Sequence, residues 1–189
     1  MLFTTLLGYF LLLVFLYVEG RLRRGGVAQS LEAGKIDRNT TRVLGYAFFI
    51  SLVTLLSAWA LHALGVGTLP EWLAWVGILL ASAGLGLRTW ANRTLGAYYT
   101  RTLKVADGQS IIREGPYRVI RHPGYLGTIL MWTGVALATG NWIVLLIVLI
   151  VIGGAYYLRI ETEEKLLLSS LPEYGEYRSH TWRLIPPIY

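Results

Sequence analysis

Long apolar stretches separated by short polar ones dominate the chain. Leu2–Val18, Val43–Leu64, Trp72–Leu87, Tyr125–Thr139 and Trp142–Leu158 each approach the roughly 20 apolar residues a helix needs to cross the hydrocarbon of a bilayer. The third and fourth are short unless their flanks contribute. The pattern predicts an all-α integral membrane fold with five transmembrane helices. The first stretch lacks a basic segment before it and a small-residue cleavage site before Arg21, so it reads as a span rather than a secretion signal.

Between Asn92 and Arg121 the pattern changes. The runs TLKV and QSII flank Ala106-Asp107-Gly108, two short β-prone segments around a turn, which is a hairpin signal. Then EGPYRVIRHPGY, with its Gly-Pro and His-Pro steps, forbids one long regular helix before the fourth span. After the fifth span, Glu161, Glu163 and Glu164 continue an apolar helix into a polar turn. Leu166, Leu167, Leu168 and Leu171 keep it apolar on one side until Pro172 ends it. The remaining tail is aromatic and charged. The linker 19–42 carries no ligand-binding pattern, and two regions are expected: 1–92, holding spans one to three, and 93–189, holding the hairpin, spans four and five and the tail.

Composition agrees with a membrane protein: 54% of residues are hydrophobic and the mean hydropathy is +0.52. Charge adds orientation. All 17 Lys and Arg lie in three segments, Arg21–Arg42, Arg88–Arg121 and Arg159–Arg183, while the connections GVGTLPE and TGN carry none. Basic loops stay cytoplasmic, which places the N-terminus outside and the C-terminus in the cytoplasm. The net charge of +6 then reflects topology and anionic headgroups, and no nucleic-acid partner is expected. The sequons at Asn39 and Asn92 fall on the cytoplasmic side, where they are chance matches. The absence of cysteine excludes disulfides and thiolate metal sites, and no metal is expected.

Several conspicuous residues have plain readings. His62 reads as a helix-packing histidine and His180 as a surface residue, while Trp72, Trp142 and Tyr156 read as the aromatic belt at the membrane borders. Gly84 and Gly86 lack the third glycine and the preceding strand of a dinucleotide fingerprint, so they read as packing glycines. His122, between Arg121 and Pro123, is either part of a turn leading into a helix or a functional group. The same choice holds for the glutamates: a solvated interfacial face or a site. Arg121 is expected to anchor at the headgroups, with Pro123, Gly124 and Gly127 holding an irregular backbone and Tyr125 starting the fourth span.

As a set, EGPYRVIRHPGYLG, the pair of spans that follows, RIETEE, LPEYGEY and the terminal RLIPP resemble the isoprenylcysteine carboxyl methyltransferase family of integral membrane enzymes, with its bacterial, archaeal and phospholipid methyltransferase relatives. The resemblance runs from about Leu95 to Pro187. It implies methyl transfer from S-adenosylmethionine without a Rossmann domain, in a small cofactor pocket made by a cytoplasmic loop and the C-terminal helix. It implies Gln109, Ser110, Ile111, Ile112, Tyr117, His122, Pro123, Gly124, Tyr125 and Glu163 as cofactor-binding, and Arg159 as the catalytic arginine placed towards the substrate. Many members have His where this chain has Gln109, an amide that cannot carry a proton.

The implied substrate is a lipidic or prenylated acceptor entering laterally from the bilayer, most simply an isoprenylcysteine-type carboxylate. A carboxylate is already ionised near neutral pH and needs no strong base, whereas an amine or thiol acceptor would, and the sequence names none. Phospholipid or thiol methylation is the nearest alternative. Sterol reductases that use a nicotinamide dinucleotide phosphate have a related C-terminal layout but usually more spans. A non-catalytic scaffold or transporter would show broken helices or intramembrane charge pairs along a path, and the sequence offers neither.

Overall fold

The computed structural model describes residues 1–22, 39–96 and 111–189. These form six α-helices: α1 (Leu2–Leu22), α2 (Thr40–Ala63), α3 (Glu71–Leu95), α4 (Pro123–Ala138), α5 (Trp142–Ser170) and α6 (Tyr174–Ser179), with a 3-10 turn at Gly115–Arg118. Among the described residues there is no strand, only isolated bridges pairing Thr68 with Asn141 and Ile120 with Trp182. The hairpin expected before the fourth span lies mostly in 97–110, outside the described residues, and Ile111 and Ile112 have no regular structure.

Four helices, α1, α2, α3 and α5, are long and apolar enough to cross a membrane. The protein is an integral, multi-pass membrane protein. The fifth expected span, α4, is shorter: its 16 residues rise about 24 Å, against about 30 Å of hydrocarbon. The bundle is apolar on the outside too. Phe3, Leu6, Phe10 and Leu13 of α1 and Ile150 of α5 are exposed, as lipid-facing side chains should be.

Two ends of the bundle are distinguishable. At one, the Met1 amino group pairs with Glu71 at 3.0 Å, and Gly67 and Leu69 exchange backbone bonds with Trp142 and Gly140. Here Asn141 caps α5 by accepting from the amides of Ile143 and Val144 and donates to the Val66 carbonyl. His62 lies 2.5 Å from the Thr139 carbonyl, the packing role its sequence context suggests. The cation-free connections meet at this end. The opposite end gathers Glu19, Arg88, Asn92, Thr40, His122 and Arg159, all buried.

The tightest contact is between antiparallel α3 and α4, because both present glycine where they cross. A Cβ added to Gly77 would meet Gly134 O at 2.6 Å, and one added to Gly84 would meet Met131 N at 2.5 Å and Gly127 O at 2.6 Å. Small residues let membrane helices approach this closely when lipid supplies no hydrophobic drive between them. Gly86 differs from its sequence reading, for no atom lies within 4 Å of its added Cβ; it faces outward and packs against nothing. Gly84→Ala is therefore expected to force the helices apart and cost about 1–3 kcal/mol as overpacking, read as a lower Tm in detergent. Gly86→Ala should leave Tm at or slightly above wild type; equal loss in both would refute the interlock.

Polar residues extend α3 beyond its expected end at Leu87. Arg88 and Asn92 are buried on the same stripe as Ala74, Gly77, Ala81 and Gly84. Glu19, at the end of α1, accepts from Arg88 Nε at 2.7 Å and Asn92 Nδ2 at 3.0 Å. The Asn92 amide is thus committed to an internal bond. Tyr156 also departs from its expected place in the interfacial belt: it is 3% exposed and packs against Tyr125, ring centroids 4.9 Å apart. Trp72 and Trp142 are exposed as expected.

Candidate active site at the charged end of the bundle

The turn Arg121-His122-Pro123 lies where α4 begins and the C-terminal tail returns. Pro123 occupies the first helical position, where a missing N–H costs nothing. The tail then binds the turn through its backbone: Arg121 N donates to Trp182 O at 2.8 Å, His122 N to Arg183 O at 3.2 Å, and Trp182 N to Val119 O at 3.0 Å. Behind the turn, α5 supplies two adjacent carboxylates. They have different fates.

Glu164 is 2% exposed and both its oxygens are taken by this chain. Oε1 accepts from Arg121 Nε at 2.8 Å and lies 3.3 Å from His122 Nε2; Oε2 accepts from Arg183 Nη2 at 2.7 Å and Nε at 3.1 Å. This is a fork-shaped, charge-assisted arrangement. Arg121 is therefore not a headgroup anchor. Its side chain is 8% exposed and its Nη1 also donates to the carbonyls of Arg178 and Thr181. Burial disfavours the charged form of Arg183, but Glu164, Tyr189 and Glu161 outweigh it and raise its pKa above the usual arginine value.

Glu163, by contrast, keeps a side chain 25% exposed. It accepts from the Tyr125 hydroxyl at 2.5 Å, and the Tyr125 ring stacks on His122 with an interplanar angle of 2°. Arg159, one helical turn earlier on α5, points its Nε at the same Tyr125 oxygen, 3.5 Å away. Its Nη1 donates to the hydroxyls of Thr40 and Thr41 at 2.9 and 3.0 Å. Residues from α2, α4 and α5 thus meet around Arg159.

Of the residues expected to form the site, His122, Tyr125, Glu163 and Arg159 come together. Pro123 and Gly124 are buried behind them against α3, where a Cβ on Gly124 would lie 3.0 Å from Arg88 Nη1. Tyr117 belongs to the 3-10 turn, and its carbonyl accepts from the Tyr177 hydroxyl at 2.6 Å. Burial pushes the Tyr177 phenol up to about 12, so it stays a neutral donor. Ile111 and Ile112 are half-buried. Gln109 and Ser110 lie outside the described residues, together with the stretch expected to wall the cofactor pocket.

Sequence reasoning missed Glu164, Arg121, Arg183, Thr40 and Thr41 as members of this network. It also missed Tyr174, which is 3% exposed with a hydroxyl that has no hydrogen-bond partner among the described residues. Burial, then the charges of Glu164 and Glu163, push its pKa up. A buried, unpartnered hydroxyl near two carboxylates is what a polar ligand would satisfy. For Glu164 no local signal existed: it stands four residues after the buried Ile160 of α5, and Glu163 stands four after the buried Arg159.

Fold and site define a polytopic helical membrane protein with a polar, partly open cluster at one end of its bundle. The model of the isoprenylcysteine carboxyl methyltransferase family matches residues 75–169, about half the chain and all of α4. The chain belongs to that family, a family of methyltransferase enzymes. In fold it is similar to the eukaryotic intramembrane Ras methyltransferase of that name, with a TM-score of 0.63 at 24% identity, over 76% of this chain and 52% of the other. It is also 35% identical over 57 residues to the uncharacterized protein YpbQ of Bacillus subtilis (strain 168), 30% of this chain and 34% of that one. With the cobalt-zinc-cadmium resistance protein CzcN of Cupriavidus metallidurans it shares 28% identity over 114 residues, 60% of this chain and 48% of that one. The chain thus spans between a third and a half of the length of these curated relatives.

Proposed function

We propose that the protein transfers a methyl group from S-adenosylmethionine to a lipidic acceptor, with an isoprenylcysteine-type carboxylate as the best-fitting class. The charged end is cytoplasmic in this reading, the N-terminus is outside, α4 serves as the fifth crossing, and region 93–189 carries the catalytic residues. The observation that carries it is the shared hydroxyl of Tyr125, which donates to Glu163 and faces Arg159 Nε. One phenol thereby separates a cofactor carboxylate from an acceptor arginine.

The residues fit such a cofactor. Glu163, with the stacked faces of His122 and Tyr125, offers a carboxylate and aromatic surface to a cation, and Tyr174 adds an unpartnered hydroxyl. When bound, S-adenosylmethionine supplies an electrophilic methyl group on a sulfonium. Arg159, with its Nε facing Tyr125 and its Nη1 held by Thr40 and Thr41, is suited to orient an acceptor carboxylate by its positive charge, and positioning is the main source of rate for such a displacement. Tyr125, as donor to Glu163, holds that carboxylate away from the arginine. The open sides of the bundle, all lipid-facing, admit a hydrophobic acceptor tail.

The test is calorimetric titration of the detergent-purified protein with S-adenosylhomocysteine. Saturable binding is expected, and Glu163→Ala or His122→Ala should weaken it by roughly tenfold or more, the scale of one charged hydrogen bond. Unchanged affinity in both variants would discard the site. Binding of reduced nicotinamide dinucleotide phosphate instead would replace the reading with a reductase one.

A further inference from the structure

The methyl-transfer reading leaves unexplained why Arg121, His122, Arg183 and, at 3.9 Å, Arg178 crowd one buried glutamate. We infer that Glu164, held by Arg121 and Arg183, fixes His122 as its Nε2–H tautomer, so that Nδ1 and Glu163 form a paired acceptor for a ligand ammonium or hydroxyl. The inference rests on the methyl-transfer reading for the ligand's identity, but its core concerns this chain alone.

An ionised carboxylate only accepts. Glu164 Oε1 lies 3.3 Å from His122 Nε2, so in the neutral ring the proton sits on Nε2, and Nδ1 carries a lone pair. Nδ1 is 4.0 Å from Glu163 Oε2, too far for a direct hydrogen bond and the right order of spacing for one donor to bridge two acceptors. The ring has little freedom to exchange these roles. It is 5% exposed, stacked on Tyr125, and fixed at its backbone by the Arg183 carbonyl.

Glu164 is fixed in turn. Arg183 holds Oε2 through two nitrogens and Glu161 through Nη1 at 2.5 Å, while Arg121 holds Oε1. Arg183 sits in the C-terminal tail, so the tail reaches the ligand site without touching ligand. It acts as a positioning residue through Glu164 on His122. This is the second-partner logic by which a hydrogen bond on one imidazole nitrogen sets the function of the other.

The chain has three histidines, few enough for the ring nitrogens to be resolved by NMR after 15N labelling, with His122 assigned by the loss of its signals in His122→Asn. At about pH 8, wild-type His122 should show a protonated Nε2 and a bare Nδ1. Saturating S-adenosylhomocysteine should shift Nδ1 alone, as an acceptor taking a new donor. A protonated Nδ1, or a doubly protonated ring at that pH, overturns the proposal without any variant being needed.

Arg183→Ala should convert the signal to a mixture of tautomers and weaken S-adenosylhomocysteine on the order of tenfold, and Arg183→Lys should restore most of the tautomer order. A folded Arg183→Ala protein with wild-type tautomer and affinity overturns the role of the tail. If the wild type shows the expected tautomer but binds no S-adenosylhomocysteine, the methyl-transfer reading fails while the tautomer assignment stands.

Discussion

Arg159→Ala is expected to lower turnover by about 100- to 1,000-fold while leaving S-adenosylhomocysteine affinity within a few-fold of wild type. The split follows from the geometry. Arg159 is 2% exposed, held by Thr40 and Thr41 and directed at the Tyr125 hydroxyl, whereas Glu163 accepts from that hydroxyl. Removing the guanidinium takes away the buried charge proposed to orient the acceptor, and losing one partner of a buried charge pair at about 3–5 kcal/mol corresponds to at least two decades of rate. Arg159→Lys keeps the charge but not the fork and should recover only part of the loss. The readouts are steady-state methylation of a farnesylated cysteine analogue and calorimetry. Equal loss in cofactor affinity and turnover would move Arg159 into the cofactor site, and unchanged turnover would remove it from catalysis.

The helices were legible because each is an uninterrupted apolar run, and lipid-facing surfaces leave such runs unbroken. The end of α3 was not, since the polar turns that extend it to Leu95 look like loop until a partner is known, whereas Pro172 marked the end of α5, which stops at Ser170. Arg88 and Asn92 illustrate this. Both carry the polarity of a cytoplasmic edge, and their partner Glu19 is 69 residues before Arg88 in the chain. Distance in sequence, not weakness of interaction, hid the cluster.

The site was legible in part for a similar reason. His122, Tyr125, Glu163 and Arg159 were reached through a motif resemblance. Glu164 and Arg183 escaped because a pair of adjacent glutamates gives no local clue to which is inward, and because the tail has no periodicity. The distinction matters chemically: the buried carboxylate is held by the protein's own cations, and its partly exposed neighbour is the one proposed for a ligand.

The second large effect is on stability. Glu19→Ala is expected to cost about 3–5 kcal/mol, the scale for removing one partner of a buried ion pair, read as a marked fall in Tm. Glu19 accepts from both Arg88 and Asn92, and side-chain exposures of 6% for Glu19 and 8% for Arg88 leave little water to replace a lost carboxylate. Much of the cost is the desolvated guanidinium rather than the worth of the pair. Replacing both partners, as Glu19→Leu with Arg88→Met, should therefore recover much of the Tm lost by Glu19→Ala alone. A double variant less stable than the single one would show that the pair itself supplies the stability. Arg88 also lies against Gly124, two residues after His122, so Glu19→Ala should weaken S-adenosylhomocysteine as well. That coupled loss would trace a path from the first helix through Arg88 to the His-Pro turn; a destabilised protein with wild-type affinity would break it.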